Sequence, residues 1–300
     1  MSSNSDGKRI LVIGGTGNSG GSAVEALRAF GAQNVRIGAR DTAKAEARFG
    51  DRVEVVHFDW EKPETYASTL DGVQTCAIVM PVIPDIVTPG KAFLDAAAQS
   101  GSVKHVIKMS GMLCGPESPL PIGQDHEVLD QYVKTLDGVA WTSIRPTLFM
   151  TNMLIYQLGA IEDTGAFYGA PEEDGKVKSA YVSVKDLGEV MAKVAIEGEK
   201  HYGQSYELTG PKALLDSEVA ELLSGHLGKP VGYVGVPDEP YRQSLVDNPY
   251  IPEFMVGNLG GAENAKTIGL TATVTGDVQR VLGREPESFA QYLNRIRANK

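Results

Sequence analysis

The chain has 300 residues, 42% of them hydrophobic, with 34 glycines and a formal net charge of -10. That length exceeds one typical domain and falls short of two large ones, so one large domain with a smaller dependent lobe is expected. The negative balance excludes a general nucleic-acid or anionic-membrane surface, which clustered Lys and Arg would hold, while two cysteines (Cys76 and Cys114) and five scattered histidines exclude a disulfide framework and a structural metal site.

Met1 to Lys8 is polar and lacks the apolar core of a signal peptide, and no stretch approaches the ~20 apolar residues of a membrane span. A cytoplasmic, reducing location is therefore expected. The first apolar run, Arg9 to Gly14, ends in glycines and leads into an amphipathic helix from Ser19 to Phe30, with Ala23, Val24 and Leu27 at helical spacing. Further β-rich runs follow at Asn34 to Ala39, Val53 to Phe58, Thr75 to Met80, Val103 to Met109 and Trp141 to Ile144, separated by helical segments. Alternation of this kind predicts an α/β fold, a Rossmann doubly wound parallel sheet with a smaller C-terminal α/β lobe. The expected division is residues 1–147 for the sheet domain, with later returns to the sheet, and 148–300 for the lobe over the carboxyl edge, where ligands bind in open α/β sheets. Within the lobe, helices are expected at Thr151 to Ile161, Asp186 to Glu197, and near Asp216 to Leu227, Pro252 to Gly260 and Pro286 to Ala298, with short strands at Phe167 and Val177 to Val182.

Gly14, Gly15, Thr16, Gly17, Asn18, Ser19 and Gly20 carry G-x-x-G-x-x-G spacing between the first strand and first helix. Glycines there give a tight turn, let backbone amides approach a diphosphate, and pack the helix closely on the strand, while the helix N-terminus adds a favourable partial charge. A plain tight turn is the competing role, but the position at the first βα unit favours dinucleotide binding. NAD binders usually end the second strand with an acidic residue. Arg40 stands there instead, able to grip a 2'-phosphate through two hydrogen bonds, with Lys44 one turn on and Asp41 as an acidic alternative. NADP(H) is the expected cofactor. Asp59, beside Trp60 at the end of the third strand, has two open roles: acceptor for the adenine amine, or N-cap of the following helix, whose start Glu61, Pro63 and Glu64 signal.

The chain resembles the NmrA-like, atypical branch of the short-chain dehydrogenase/reductase superfamily over nearly its whole length. The resemblance rests on the glycine segment from Gly14, Arg40, Phe58-Asp59-Trp60, Val103-Lys104-His105-Val106 leading to Ser110, and Ser143-Ile144-Arg145-Pro146-Thr147 with Asn152 beyond. It implies NADPH-dependent reduction of quinones, dyes or phenylpropanoids, or dinucleotide binding without turnover in a redox sensor. Ordinary members of the superfamily pair Ser with Tyr-x-x-x-Lys, the lysine lowering the tyrosine pKa for proton transfer. Ser110 matches the serine, but His126 and Asp130 occupy the tyrosine and lysine places. Tyr181-x-x-x-Lys185 has the spacing in the wrong part of the chain, which makes Tyr181 a lobe residue and Lys185 a surface charge. His126 is left as the candidate proton donor or substrate-orienting group, against the plainer role of a structural histidine, because imidazole titrates near neutral pH.

The expected pocket draws on residues after the fourth to sixth strands. Met80 and Pro81 sit by the cofactor; Val82, Met112, Leu113, Phe149 and Asn152, with Phe254 from the lobe, line an apolar space for a small hydrophobic carbonyl, quinone or conjugated acceptor, or else are core. The sequence leaves the oligomeric state open.

Overall fold

The structure is a computed structural model that describes residues 7–172 and 177–298. Its strands form where short apolar runs meet turn residues. β1 (Ile10–Ile13), β2 (Val35–Ala39), β3 (Glu54–His57), β4 (Thr75–Ile78), β5 (His105–Met109) and β6 (Ala140–Pro146) alternate with α1 (Asn18–Ala29), α2 (Thr42–Phe49), α3 (Tyr66–Leu70), α4 (Val87–Gln99) and α5 (Pro121–Val133). The chain continues through α6 (Met150–Thr164), β7 (Ala166–Gly169), β8 (Lys178–Ser179), α7 (Val184–Glu197), β9 (Gln204–Leu208), β10 (Leu214–Leu215), α8 (Asp216–Leu227), β11 (Gly232–Gly235), α9 (Asp238–Val246), α10 (Glu253–Thr267), α11 (Asp277–Leu282) and α12 (Phe289–Ala298).

The seven-stranded sheet runs β3-β2-β1-β4-β5-β6-β9, with parallel pairing from β3 through β6. Ile10 of β1 faces Val35 on one side and Thr75 on the other, so strand order reverses at β1 and β4. All four residues of β1 are buried, as a central parallel strand covered on both faces requires. This is the expected doubly wound α/β architecture. The return to the sheet is made by β9, a polar edge strand whose Gln204 and Ser205 are exposed.

Two compact units divide the chain, and neither is continuous. The first comprises residues 1–110, 125–145 and 184–206. Here α7 packs on α1 through Gly188, where a Cβ would stand 2.5 Å from the Ser22 carbonyl carbon. The second comprises 111–124, 146–183 and 207–300, so the chain passes between the units several times. Its core gathers Met150, Met153, Ile161, Phe167, Tyr181, Leu223, Phe289 and Tyr292, with β7 paired parallel to β11 and β8 antiparallel to β10. Each buried large apolar side chain there contributes about 1.5–3 kcal/mol.

Candidate functional site: a glycine-floored cleft and a buried lysine-histidine cluster

Between β1 and α1 the chain turns at Gly14, whose φ of +81° suits glycine and whose Cβ would stand 2.7 Å from the Val79 carbonyl oxygen. Gly17 N–H donates to Gly14 O at 3.0 Å and closes the turn. A Cβ at Gly20 would lie 2.3 Å from that same Gly14 oxygen, so the first turn of α1 can sit against the loop only because position 20 has no side chain. Gly17 is the N-cap, no side chain caps the helix, and its first turn holds no acid, which leaves the positive end of the helix uncompensated. From α2, Arg48 donates to the Thr16 and Gly17 carbonyls at 3.1 and 3.3 Å and pairs with Glu25 at 2.8 Å, clasping the loop from outside.

This loop floors a cleft of about 290 Å³, lined also by Gly38, Arg40, Asp59, Trp60, Met80 and Pro81. Of the expected cofactor residues, Gly14, Thr16, Gly17, Arg40, Asp59, Trp60, Met80 and Pro81 are brought together on its walls. Asn18, Ser19 and Gly20 form the first turn of α1, and the backbone N–H of Lys44 is taken by the Asp41 carboxylate that caps α2; neither these residues nor Ser110 is in the cleft lining. Asp41 thus acts as a helix cap. The Asp59 carboxylate accepts from Glu61 N–H at 3.1 Å, a local turn bond, while the residue still lines the cleft. Trp60 packs edge-on to Phe58 and Phe93 at 4.9 and 5.4 Å, an aromatic cluster that fixes this wall.

Lys108 lies on β5, and Ser110 follows directly after that strand. Lys108 is 2% exposed; its Nζ lies 2.8 Å from Asp130 Oδ1 and 3.0 Å from His126 Nδ1, both on α5, and Ser143 of β6 donates to Asp130 Oδ2 at 3.0 Å. The Ser110 Oγ is buried and, among the described residues, has no hydrogen-bond partner. Burial, reinforced by the Lys108 cation, pushes the His126 pKa well below the ordinary imidazole value. The near-neutral titration expected from sequence is thereby displaced, because a 7% exposed ring beside an ammonium cannot readily take a second proton. Lys108 was overlooked; its signal was a lone charge inside the apolar run His105-Val106-Ile107-Lys108-Met109, which must find a buried partner.

The expected substrate residues divide between the units. Val82 follows β4 in the first unit, about half exposed. In the second, Asn152 lines a cavity of about 80 Å³ with Tyr181, Tyr241, Glu263 and Lys266. Met112, Leu113, Phe149 and Phe254 are not among its walls: Phe149 is the N-cap of α6 and bridges to Val182, and Phe254 starts α10. Tyr181 donates to Asp216 at 2.5 Å, and Lys266 bridges Asp216 and Glu263 at 2.8 and 2.9 Å. Burial pulls against the Lys266 ammonium, but the two carboxylates outweigh it and hold its pKa well above the usual lysine value. Tyr181 is therefore a lobe core residue, and Lys185 is a half-exposed partner of Glu189 at 3.8 Å.

The model of the NmrA-like family matches residues 6–293. The chain belongs to the NmrA-like family. It is 33% identical to an NAD(P)H azoreductase from Xenophilus azovorans, over 94% of this chain and 96% of that protein. Among solved structures of similar fold, an NADPH-dependent quinone oxidoreductase from Escherichia coli in complex with NADPH superposes with a TM-score of 0.84 at 23% identity, covering 96% of this chain and 99% of that one. The negative transcriptional regulator NmrA in complex with NADP gives 0.77 at 19% identity, covering 98% of each. One fold thus carries both a reductase and a regulator. Among the described residues no group of three or more His, Cys, Asp and Glu is arranged to hold a metal ion, and no helix is long and apolar enough to cross a membrane.

Proposed function

We propose that the protein is an NADPH-dependent reductase of a small hydrophobic carbonyl, quinone or conjugated acceptor. The observation that carries the proposal is the glycine turn, where side chains at positions 14 and 20 would collide with backbone, flooring a cleft with Gly14, Gly17 and Arg40 on its walls. The 33% identity to an NAD(P)H azoreductase over most of both chains supports the chemistry.

In this reading the glycine loop and the α1 N-terminus hold the diphosphate, Arg40 the 2'-phosphate with Lys44 adding charge, and Asp59 and Trp60 the adenosine end. Bound NADPH supplies a hydride to the acceptor. Ser110 and His126 orient the acceptor oxygen, and the Tyr-x-x-x-Lys pair of ordinary relatives is replaced by His126 and Asp130. Val82, Met112, Leu113, Phe149, Asn152 and Phe254 are the residues proposed to meet the acceptor. A cytosolic setting fits a chain with only two cysteines, Cys76 and Cys114, and a dependence on reduced cofactor.

Purified protein incubated with NADPH and a panel of quinones, azo compounds, aldehydes and enones, followed by nicotinamide absorbance, tests the proposal. Turnover that His126→Ala reduces is expected; tight NADPH binding with no oxidation across the panel overturns the reductase reading in favour of a sensor. Arg40→Ala should weaken NADPH binding and leave NADH little changed, and equal loss for both would remove the 2'-phosphate role.

A further inference from the structure

We infer that Lys108 is a positioning residue that locks His126 as a neutral imidazole with its proton on Nε2, so that the ring acts as a fixed hydrogen-bond donor and not as an imidazolium acid. This rests on the reductase reading for its catalytic meaning, though not for its geometry. An ammonium paired with a carboxylate at 2.8 Å keeps its protons and has no lone pair to offer. Of the two partners in the 3.0 Å contact between Lys108 Nζ and His126 Nδ1, the ring nitrogen must therefore be the acceptor. A neutral imidazole that accepts at Nδ1 carries its hydrogen on Nε2. Lys108 also donates to the His126 carbonyl at 3.3 Å, so one ammonium holds both the ring and the first turns of α5.

The same cluster explains how His126 and Asp130 can stand where a tyrosine and a lysine are usual. The cation is still present, but it rises from β5, while α5 contributes the carboxylate that neutralises it. Asp130 is held in turn by Ser143, so three elements fix the imidazole plane. Among the described residues His126 Nε2 has no hydrogen-bond partner, and neither does the Ser110 hydroxyl, two residues on from Lys108 and just past the end of β5. Two donors without protein acceptors suit a substrate oxygen that gains negative charge as hydride arrives. The Lys108 charge behind the ring strengthens the Nε2–H as a donor.

The full-length protein labelled with nitrogen-15 at histidine decides the tautomer directly, His126→Gln assigning the signals. The expected spectrum shows Nδ1 unprotonated and Nε2 protonated as one species. A wild-type spectrum with the proton on Nδ1, or with an imidazolium at neutral pH, overturns the inference, and it needs no variant to fold. In Lys108→Met both tautomers should appear, and kcat for NADPH oxidation by 1,4-naphthoquinone should fall on the order of tenfold or more with the NADPH KM unchanged. Lys108→Arg, which keeps a cationic donor, should restore the single tautomer and much of kcat. A Lys108→Met protein with wild-type tautomer and kcat overturns the positioning role. Were naphthoquinone turnover indifferent to His126→Gln, the reductase assignment of the site would fail, while the nitrogen spectrum would still decide the tautomer.

Discussion

Replacing Gly20 by alanine tests the close approach of α1 to the glycine loop. The new Cβ would lie 2.3 Å from Gly14 O, 2.6 Å from Gly14 C and 3.0 Å from Gly15 N, all backbone atoms that no rotamer change can move. Ordinary contact requires the loop or helix to retreat by roughly 1 Å, and overpacking of this kind costs about 1–3 kcal/mol. Alanine returns at most ~1 kcal/mol of helix propensity, and less in a first turn, so the clash wins. The expected outcome is a melting temperature lower by about 2–10 °C and NADPH binding weaker by roughly tenfold or more, since the retreat moves the amides proposed to meet the diphosphate. Differential scanning fluorimetry with and without NADPH, with a fluorescence titration, reads both. Gly17→Ala is the contrast: its Cβ meets Gly14 O at 3.4 Å with φ at -82°, so the fold should hold. A Gly20→Ala protein that melts with the wild type and binds NADPH within about twofold of it would refute the close-approach argument.

Two further outcomes follow from the buried charges. Lys266→Met leaves Asp216 and Glu263 facing one another without a cation, with side chains 3% and 13% exposed, and should cost about 3–5 kcal/mol in urea unfolding; a loss under about 1 kcal/mol would show that the pair is not held as described. His105 is pushed down to about 3, by burial first and then by Lys8 and His201. The unfolded chain therefore binds a proton that the folded one refuses: the contribution is whole above about pH 6.5 and is lost as pH falls towards 3, at about 1.4 kcal/mol per pH unit. His105→Gln should flatten that part of the stability profile measured by urea midpoints, and an unchanged slope would contradict it.

What the sequence determined by itself is what depends on neighbours along the chain. The runs Ile10–Ile13 and Val35–Ala39 read as strands because every residue but Arg36 is apolar or small, and the G-x-x-G-x-x-G spacing located the turn because φ and Cβ clearance are properties of single positions. The place of Arg40, directly after the second strand, was legible for the same reason. Tertiary structure decided what depends on groups distant in sequence. Lys108 meets His126 and Asp130 from 18 and 22 residues away, and Tyr181, Asp216 and Lys266 converge across 35 and 50 residues. No periodicity encodes such meetings, and they changed the chemistry of the site: sequence makes His126 a titrating imidazole, whereas burial beside an ammonium makes it a neutral one. Solvation and charge at a side chain belong to its surroundings in space, which the order of residues specifies only through the completed fold.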